Sequence, residues 1–358
     1  MKILLFGEFS GLFNSIRDGL VALGHEVVMA SDGNGHKNYP RDLDWYADPK
    51  YGKFKHVIEL SKIFKFRKQL TGFDAVLLIH PSIFSRYRFI IKPLFDFLIN
   101  NNKKVFLSGA GMTPTVLKYW YNSNEKYHNY VVGNIKDVPS YSEMLKPGAD
   151  SWELELLDRI NGYLPIWYEY AQPFKNHPKY IKTIRIPINL DKFTYHPNTV
   201  GDKVVFLHGV PTRPNAKGTA LIKEAFARLE KDYGDVAEFI CAGGLPFDEY
   251  MKIVNRTNVI LDDANSCSVA MNGLFSMASG KIVMGGAEPI ANKELGIENV
   301  NPVINLCPDV DQIYSCCKDI IENRDKIEEL GLQSRKFVEQ YHDYRDIARQ
   351  YVEIFEKY

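Results

Sequence analysis

The sequence predicts an α/β protein of two doubly wound, Rossmann-like domains, and three observations carry that prediction. Short apolar runs closed by glycine or acid alternate with amphipathic segments at helical spacing, the pattern of parallel strands covered on both faces. The alternation lapses into Pro/Asn/Gly-rich chain near residues 180–203 and then restarts. A chain of 358 residues also exceeds what one core usually holds. Domains of this kind bind ligands beyond the C-terminal ends of their strands, so two facing each other would line a cleft with both sets of loops.

In the first half, KILLFGEFS begins as a buried strand, SGL turns, LFNSIRDGLVALG forms a helix and HEVVMAS a second strand. Leu12, Ile16, Leu20 and Leu23 share one helix face, and Gly24 ends it as a left-handed cap. FDAVLLIHP follows as a strand, FIIKPLFDFLINN as a helix broken or started at Pro93, and KKVFLSGAG as another strand. Residues 115–165 read as mostly helical, rich in Tyr and Trp, without clean periodicity. YIKTIRIPINLDKFTYHPNTVGDK then reads as a short strand followed by the interdomain linker.

The second half repeats the logic: KVVFLHG strand, PNAKGTALIKEAFARLEKDYG helix, AEFICAGG strand, DEYMKIVNR helix, NVILDD strand, MNGLFSMASG helix, KIVMGG strand. The expected domains are 1–188, 189–340, and a terminal helix, 341–358, returning to the first. No short-period repeat or low-complexity tract interrupts them.

Composition narrows the function. The 44 basic and 44 acidic residues cancel, so nothing draws the whole chain to nucleic acid. Five cysteines lack zinc or C-x-x-C spacing and read as reduced and mostly buried, as in a cytoplasmic protein. The N-terminal apolar run meets Glu8 and Gly11 too soon for a signal peptide, and no stretch approaches the ~18 apolar residues of a membrane span.

The richest segment is NVILDDANSCSVAMNGLFSMASGKIVMGG (258–286), which reads strand, loop, helix start, strand. Free N–H groups and aligned peptide dipoles at such a helix start favour phosphate. Asn272, Gly273 and Leu274 stand where a diphosphate would cross it, and Gly280 closes the helix; a plain βαβ crossover is the alternative. His80 and His208 end strands and suit contact with a sugar or phosphate, or turn capping and packing. Ser108, Gly109 and Gly111 form either a strand-end loop admitting acceptor contacts or a tight turn. Asp262 and Asp263 invite a metal, yet two adjacent acids without a third ligand read better as a loop facing water, and no metal site is expected. Residues 53–104 hold Lys53, Lys55, Lys62, Lys65, Arg67, Lys68, Arg86, Arg88, Lys92, Lys103 and Lys104 with few acids. With Phe64, Phe66, Tyr87 and Phe89 interleaved, they suit an anionic bilayer surface or a solvated basic face.

Taken together these phrases resemble the GT-B glycosyltransferases, in particular the large retaining, family 4-like group that uses sugar nucleotides in bacterial polysaccharide and lipopolysaccharide synthesis. The likeness spans nearly the whole chain: GEFSGLFNSIRDGLVALGHEV with Gly11 in its loop, IPINLDKF between domains, FLHGVPTRPNAKGT, and FSMASGKIV. It implies a metal-independent hexosyltransferase without a cofactor, taking a nucleotide-sugar donor and a glycan or lipid-linked acceptor; the expected location is the cytoplasm, with the basic segment 53–104 as the part that could meet the inner face of the membrane.

A leaving diphosphate gains negative charge, which a site without a metal must meet with cations and a helix N-terminus. The resemblance assigns that role to Lys217, with Arg213 in the same loop; Gly209, Asn272, Gly273, Leu274 and Glu288 complete the donor side, and Gly11, Ser108 and Gly109 the acceptor side. His80 is the catalytic candidate. The chain departs from the family where two glutamates eight apart are usual, since Cys267 and Phe275 stand there and neither accepts a ribose hydroxyl as a carboxylate does. Asp262, Asp263, Asn265 or Glu288 are the candidate substitutes. A catalytically silent glycan- or partner-binding module, and a sugar-nucleotide epimerase or phosphorylase, are the rival functions.

Overall fold

The computed structural model describes residues 1–82, 88–245 and 247–358. Arg86 and Tyr87 of the basic segment lie outside the described residues, as do the side chains of Lys53 and Arg88. The chain forms two compact units, Met1–Thr115 with Pro147–Asn189 and Asp343–Tyr358, and Val116–Lys146 with Leu190–His342. No described helix is long and apolar enough to cross a membrane.

The first unit holds β1 (Lys2–Phe6), β2 (Glu26–Ser31), β3 (Leu43–Asp44), β4 (Ala75–Leu78), β5 (Val105–Gly109) and β6 (Gly162–Pro165). They form one sheet in the order β3-β2-β1-β4-β5-β6, every pair parallel. Ile3 to Phe6 are wholly buried, as an unbroken apolar strand covered on both faces requires. Strand order reverses between β1 and β4, which brings the loop after β1 beside His80 after β4.

Helix Leu12–Ala22 packs against helix Tyr344–Lys357 of the same unit. Gly19 makes this possible, because a Cβ there would lie 2.3 Å from the Tyr344 carbonyl oxygen. Asp343 starts the terminal helix by accepting from the Arg345 and Asp346 N–H groups, and Lys104 closes it on the Phe355 and Glu356 carbonyls. Helix Arg88–Asn100 runs through Pro93 instead of starting there.

The second unit holds β7 (Val204–Gly209), β8 (Ala237–Ala242), β9 (Val259–Leu261), β10 (Ile282–Gly285) and β11 (Ile304–Asn305), parallel, in the order β11-β10-β9-β7-β8. Val204, Phe206, Val259, Leu261 and Ile282 pack with Ile222 and Leu229 of helix Thr219–Tyr233 and Ile313 of helix Val310–Glu322. Of the short strand expected in 180–189, the structure keeps only isolated pairings, Tyr180 with Tyr163 and Ile188 with Asp343.

Val116–Lys146, from within the first half of the sequence, belongs to this unit through helix Tyr127–Asp137. Gly133 permits a close approach, since a Cβ there would lie 2.4 Å from the Asn215 carbonyl oxygen. Asp137 accepts from the Asn215 amide side chain (2.6 Å), the Ala216 N–H (2.9 Å) and the Asn215 N–H (3.3 Å).

Candidate anion-binding site

In the second unit the strand order reverses at β7, so the loops after β7 and β9 open beside each other at the C-terminal edge of the sheet. The loop after β7 carries Lys217, held by Gly218, whose positive φ of 71° suits glycine at the cap of the next helix. The loop after β9 carries Asp262 and Asp263 and leads into helix Met271–Ala278. That helix has Ala270 at its N-cap, which offers no side-chain acceptor, and no acid in its first turn. Its leading N–H groups therefore keep the partial positive charge that suits an anion.

Lys217 Nζ lies 2.7 Å from Asp262 Oδ1 and donates to that carboxylate. Asn272, the second residue of the helix, bonds the same carboxylate through its side chain. Burial alone would lower the Lys217 pKa, but the Asp262 and Asp263 carboxylates outweigh it and hold the amine raised. Burial likewise pushes Asp262 upward, yet Lys217 prevails and keeps its carboxyl low. Asp263 is raised by burial, with Asp262 repelling its charge and Lys217 opposing. Both acids are 3% exposed, which corrects the expectation of a pair facing water. Lys217 supplies the counter-charge for Asp262, while Asp263 accepts from Ser266 and Asn265.

The other donor-side residues surround this centre. Gly209 ends β7, and a Cβ there would lie 2.6 Å from the Tyr250 hydroxyl. Arg213 donates to Asn134 Oδ1 (2.7 Å). Gly273 lets the helix sit close to Val269 and Asp262, Leu274 is buried in the core, and Asn272 is exposed. Glu288 Oε1 takes Lys126 Nζ (3.3 Å) and Asn305 Nδ2 (2.9 Å). Gly280 has φ 89° and closes the helix as its sequence position predicts. Cys267 is buried, and Phe275 stacks on Phe193.

His208 is wholly buried, with both ring nitrogens engaged by the Leu261 carbonyl and the Thr219 hydroxyl, a packing role. His80, in the first unit, accepts from the Ser82 N–H at Nδ1 (3.0 Å) and reaches the Met112 carbonyl through Nε2 (3.3 Å). Burial lowers its pKa to about 4, so the ring is neutral near pH 7. Gly11 has φ 87°, and its N–H donates to Glu8, which also takes the Asn14 N–H and so fills the front of the first helix with a protein carboxylate. Ser108 and Gly109 are buried at the end of β5, where a loop was expected. A Cβ on Gly109 would fall 2.3 Å from the Tyr163 hydroxyl.

Asn134, Asp137, Lys126 and Tyr250 were not singled out from the sequence. Lys126 and the two helix residues act 78 or more positions away from their partners, where no local motif points.

No family model matches the chain, and no curated protein matches it. Solved structures match it from end to end. Sucrose-phosphate synthase from Thermosynechococcus elongatus aligns with a TM-score of 0.67 and 14% identity, covering 100% of this chain and 99% of that one. HepE from Anabaena, in complex with UDP and glucose, aligns at 0.63 and 12%, covering 100% of both chains. The chain has the GT-B fold. MnaA from S. aureus, solved with UDP, is a further GT-B neighbour at 0.55 and 12%, covering 98% of this chain and 95% of that one.

Proposed function

We propose that the protein is a glycosyltransferase that moves a sugar from a nucleotide-diphosphate sugar to a glycan or lipid-linked acceptor in cell-surface polysaccharide synthesis. The observation that carries this reading is Lys217, set by Asp262 and Asn272 at the front of helix Met271–Ala278. A departing diphosphate gains negative charge as the glycosidic bond breaks. An ammonium already aligned by a carboxylate, beside a helix start that lacks a side-chain cap, meets that charge with little reorganisation. Arg213, aimed by Asn134, adds a second cation, and Glu288 is the remaining acceptor for a ribose hydroxyl. HepE solved with UDP and with UDP-glucose, and MnaA with UDP, support a uridine nucleotide.

In this reading the reaction uses no metal and no cofactor beyond the nucleotide-sugar co-substrate, retains anomeric configuration, and takes place in the cytoplasm at the inner face of the membrane. His80 serves as a neutral hydrogen-bonding group and not as a general base, given its pKa of about 4. Gly11 stays on the acceptor side, and Ser108 and Gly109 shape the end of β5.

Thermal unfolding with a panel of nucleosides, nucleoside diphosphates and sugar nucleotides tests the proposal. A diphosphate form should raise the melting temperature, the bare nucleoside much less, because only a ligand that binds the folded state stabilises it. No shift with any diphosphate would overturn it.

A further inference from the structure

Helix Tyr127–Asp137 lays one face along the charged centre of its own unit. Lys126, which has helical φ and ψ just ahead of the helix, falls on that face with Tyr130, Asn134 and Asp137 at helical spacing. Lys126 reaches Glu288 and Asn305 at one end, while Asn134 takes Arg213 (2.7 Å) and Asp137 takes the Asn215 and Ala216 N–H groups at the other. Tyr130 stands between them. We propose that Tyr130 is a donor-contacting residue, its hydroxyl giving a hydrogen bond to the sugar-linked phosphate of the nucleotide diphosphate beside Lys217 and Arg213.

The ring is fixed before any ligand arrives. It stacks on Tyr127 with centroids 4.8 Å apart and planes 10° from parallel, and Trp120 packs edge-on against Tyr127 (5.3 Å). Tyr127 is wholly buried and Tyr130 is 9% exposed, so the stack holds the hydroxyl with little rotamer freedom left to lose on binding. The charges around Tyr130 are those of the anion site: burial raises its pKa, Arg213 and Lys217 pull it down, and Asp263 pushes it up. The phenol therefore keeps its proton near pH 7 and can donate. Asp263, the acid of that group, is engaged by Ser266 and Asn265. A phosphate oxygen among an ammonium, a guanidinium and a phenol meets three donors at once, and hydrogen bonds to a charged acceptor are the strong ones.

The role rests on the nucleotide-sugar reading of the same site, and the test separates the two. Calorimetric titration compares UDP with UMP on the parent, Tyr130→Phe and Tyr127→Phe. Tyr130→Phe keeps the stacked ring, so it should leave the melting temperature near the parent's, weaken UDP about tenfold and leave UMP within about twofold. Tyr127→Phe, which takes a hydroxyl from the other ring of the stack, should bind UDP as the parent does. Equal UDP affinity in Tyr130→Phe and the parent, an equal loss for UMP, or the same loss in Tyr127→Phe would overturn the role of the Tyr130 hydroxyl and leave the transferase reading standing. A parent that binds neither nucleotide would end that reading, and this role with it.

Discussion

Phe275 stacks on Phe193 with ring centroids 4.7 Å apart and planes 18° from parallel. The chain leading into the second unit thus covers one face of helix Met271–Ala278 with an aromatic ring. An apolar pair holds this position, so in the proposed reading a ribose acceptor comes from elsewhere in the unit.

Phe275→Glu should therefore cost stability without restoring a nucleotide contact. Breaking the stack and placing a carboxylate against Phe193 should lower stability by about 1–3 kcal/mol. Calorimetric titration with a nucleoside diphosphate should show no gain in affinity, and a tenfold gain would contradict this account of the stack.

Lys217→Ala strands the Asp262 carboxylate, which is 2% exposed as a side chain. Loss of one partner from a buried pair should cost about 3 kcal/mol, read from the urea midpoint, and abolish the diphosphate response. The double variant Lys217→Met/Asp262→Asn should recover most of the stability and none of the binding. Recovery of both would remove the amine from the site.

Stability should depend on Glu153 in the direction opposite to an ordinary surface acid. Burial raises its pKa to about 7, Thr113 and Thr115 hydrogen bonds opposing, and its Oε1 lacks a partner among the described residues. With the folded value above the unfolded one, the folded state holds the proton more tightly. Glu153 thus favours folding below about pH 4.5, and that contribution fades as pH rises toward 7. His80 acts with opposite sign, contributing above pH 6.5 and losing that contribution as pH falls toward 4. The difference between Glu153→Gln and the parent isolates the acid: the variant should gain on the order of 2–3 kcal/mol by neutral pH relative to acid. A flat difference would refute the assignment.

Asp137→Ala removes the acceptor for three donors of the Arg213–Lys217 loop. It should lower stability by about 1–2 kcal/mol and weaken diphosphate binding several-fold, because the loop's cations lose their placement. Asn134→Ala, which removes one acceptor of the Arg213 guanidinium, should weaken binding with a smaller stability change. Unchanged affinity in both variants would mean that helix Tyr127–Asp137 supports the fold alone.

Gly109→Ala sets a methyl within 2.3 Å of the Tyr163 hydroxyl and 2.8 Å of Pro165 Cα, neither free to move. Loss of about 2 kcal/mol or more is expected from the overpacking, visible as a lower melting temperature. A neutral substitution would return Gly109 to a flexible loop.

Features set by local punctuation were legible in the sequence. The start of the Met271 helix and its close at Gly280 follow from neighbours in the chain, whereas the helix read from Pro214 begins only at Thr219, which leaves Lys217 in the loop before it. What the sequence hid depends on distant partners. Asp262 and Asp263 look like solvated acids until an ammonium 45 residues away comes within 2.7 Å. His208 looked available for phosphate because nothing local shows Thr219 closing on its second nitrogen. Helix Tyr127–Asp137 has polar partners at both ends, which blurs its apolar period and concealed its allegiance to the second unit.

The route of the chain through its two units has a consequence during synthesis. A ribosome makes the first 115 residues before any of the second unit, yet the face of helix Leu12–Ala22 that holds Gly19 is covered only when Tyr344–Lys357 emerges. The unit begun earliest is thus the last to be completed, and its open flank waits through the translation of the entire other unit, at ~5–20 residues per second a delay of tens of seconds. Nascent chains halted before Tyr344 should accordingly be captured by chaperones through that flank.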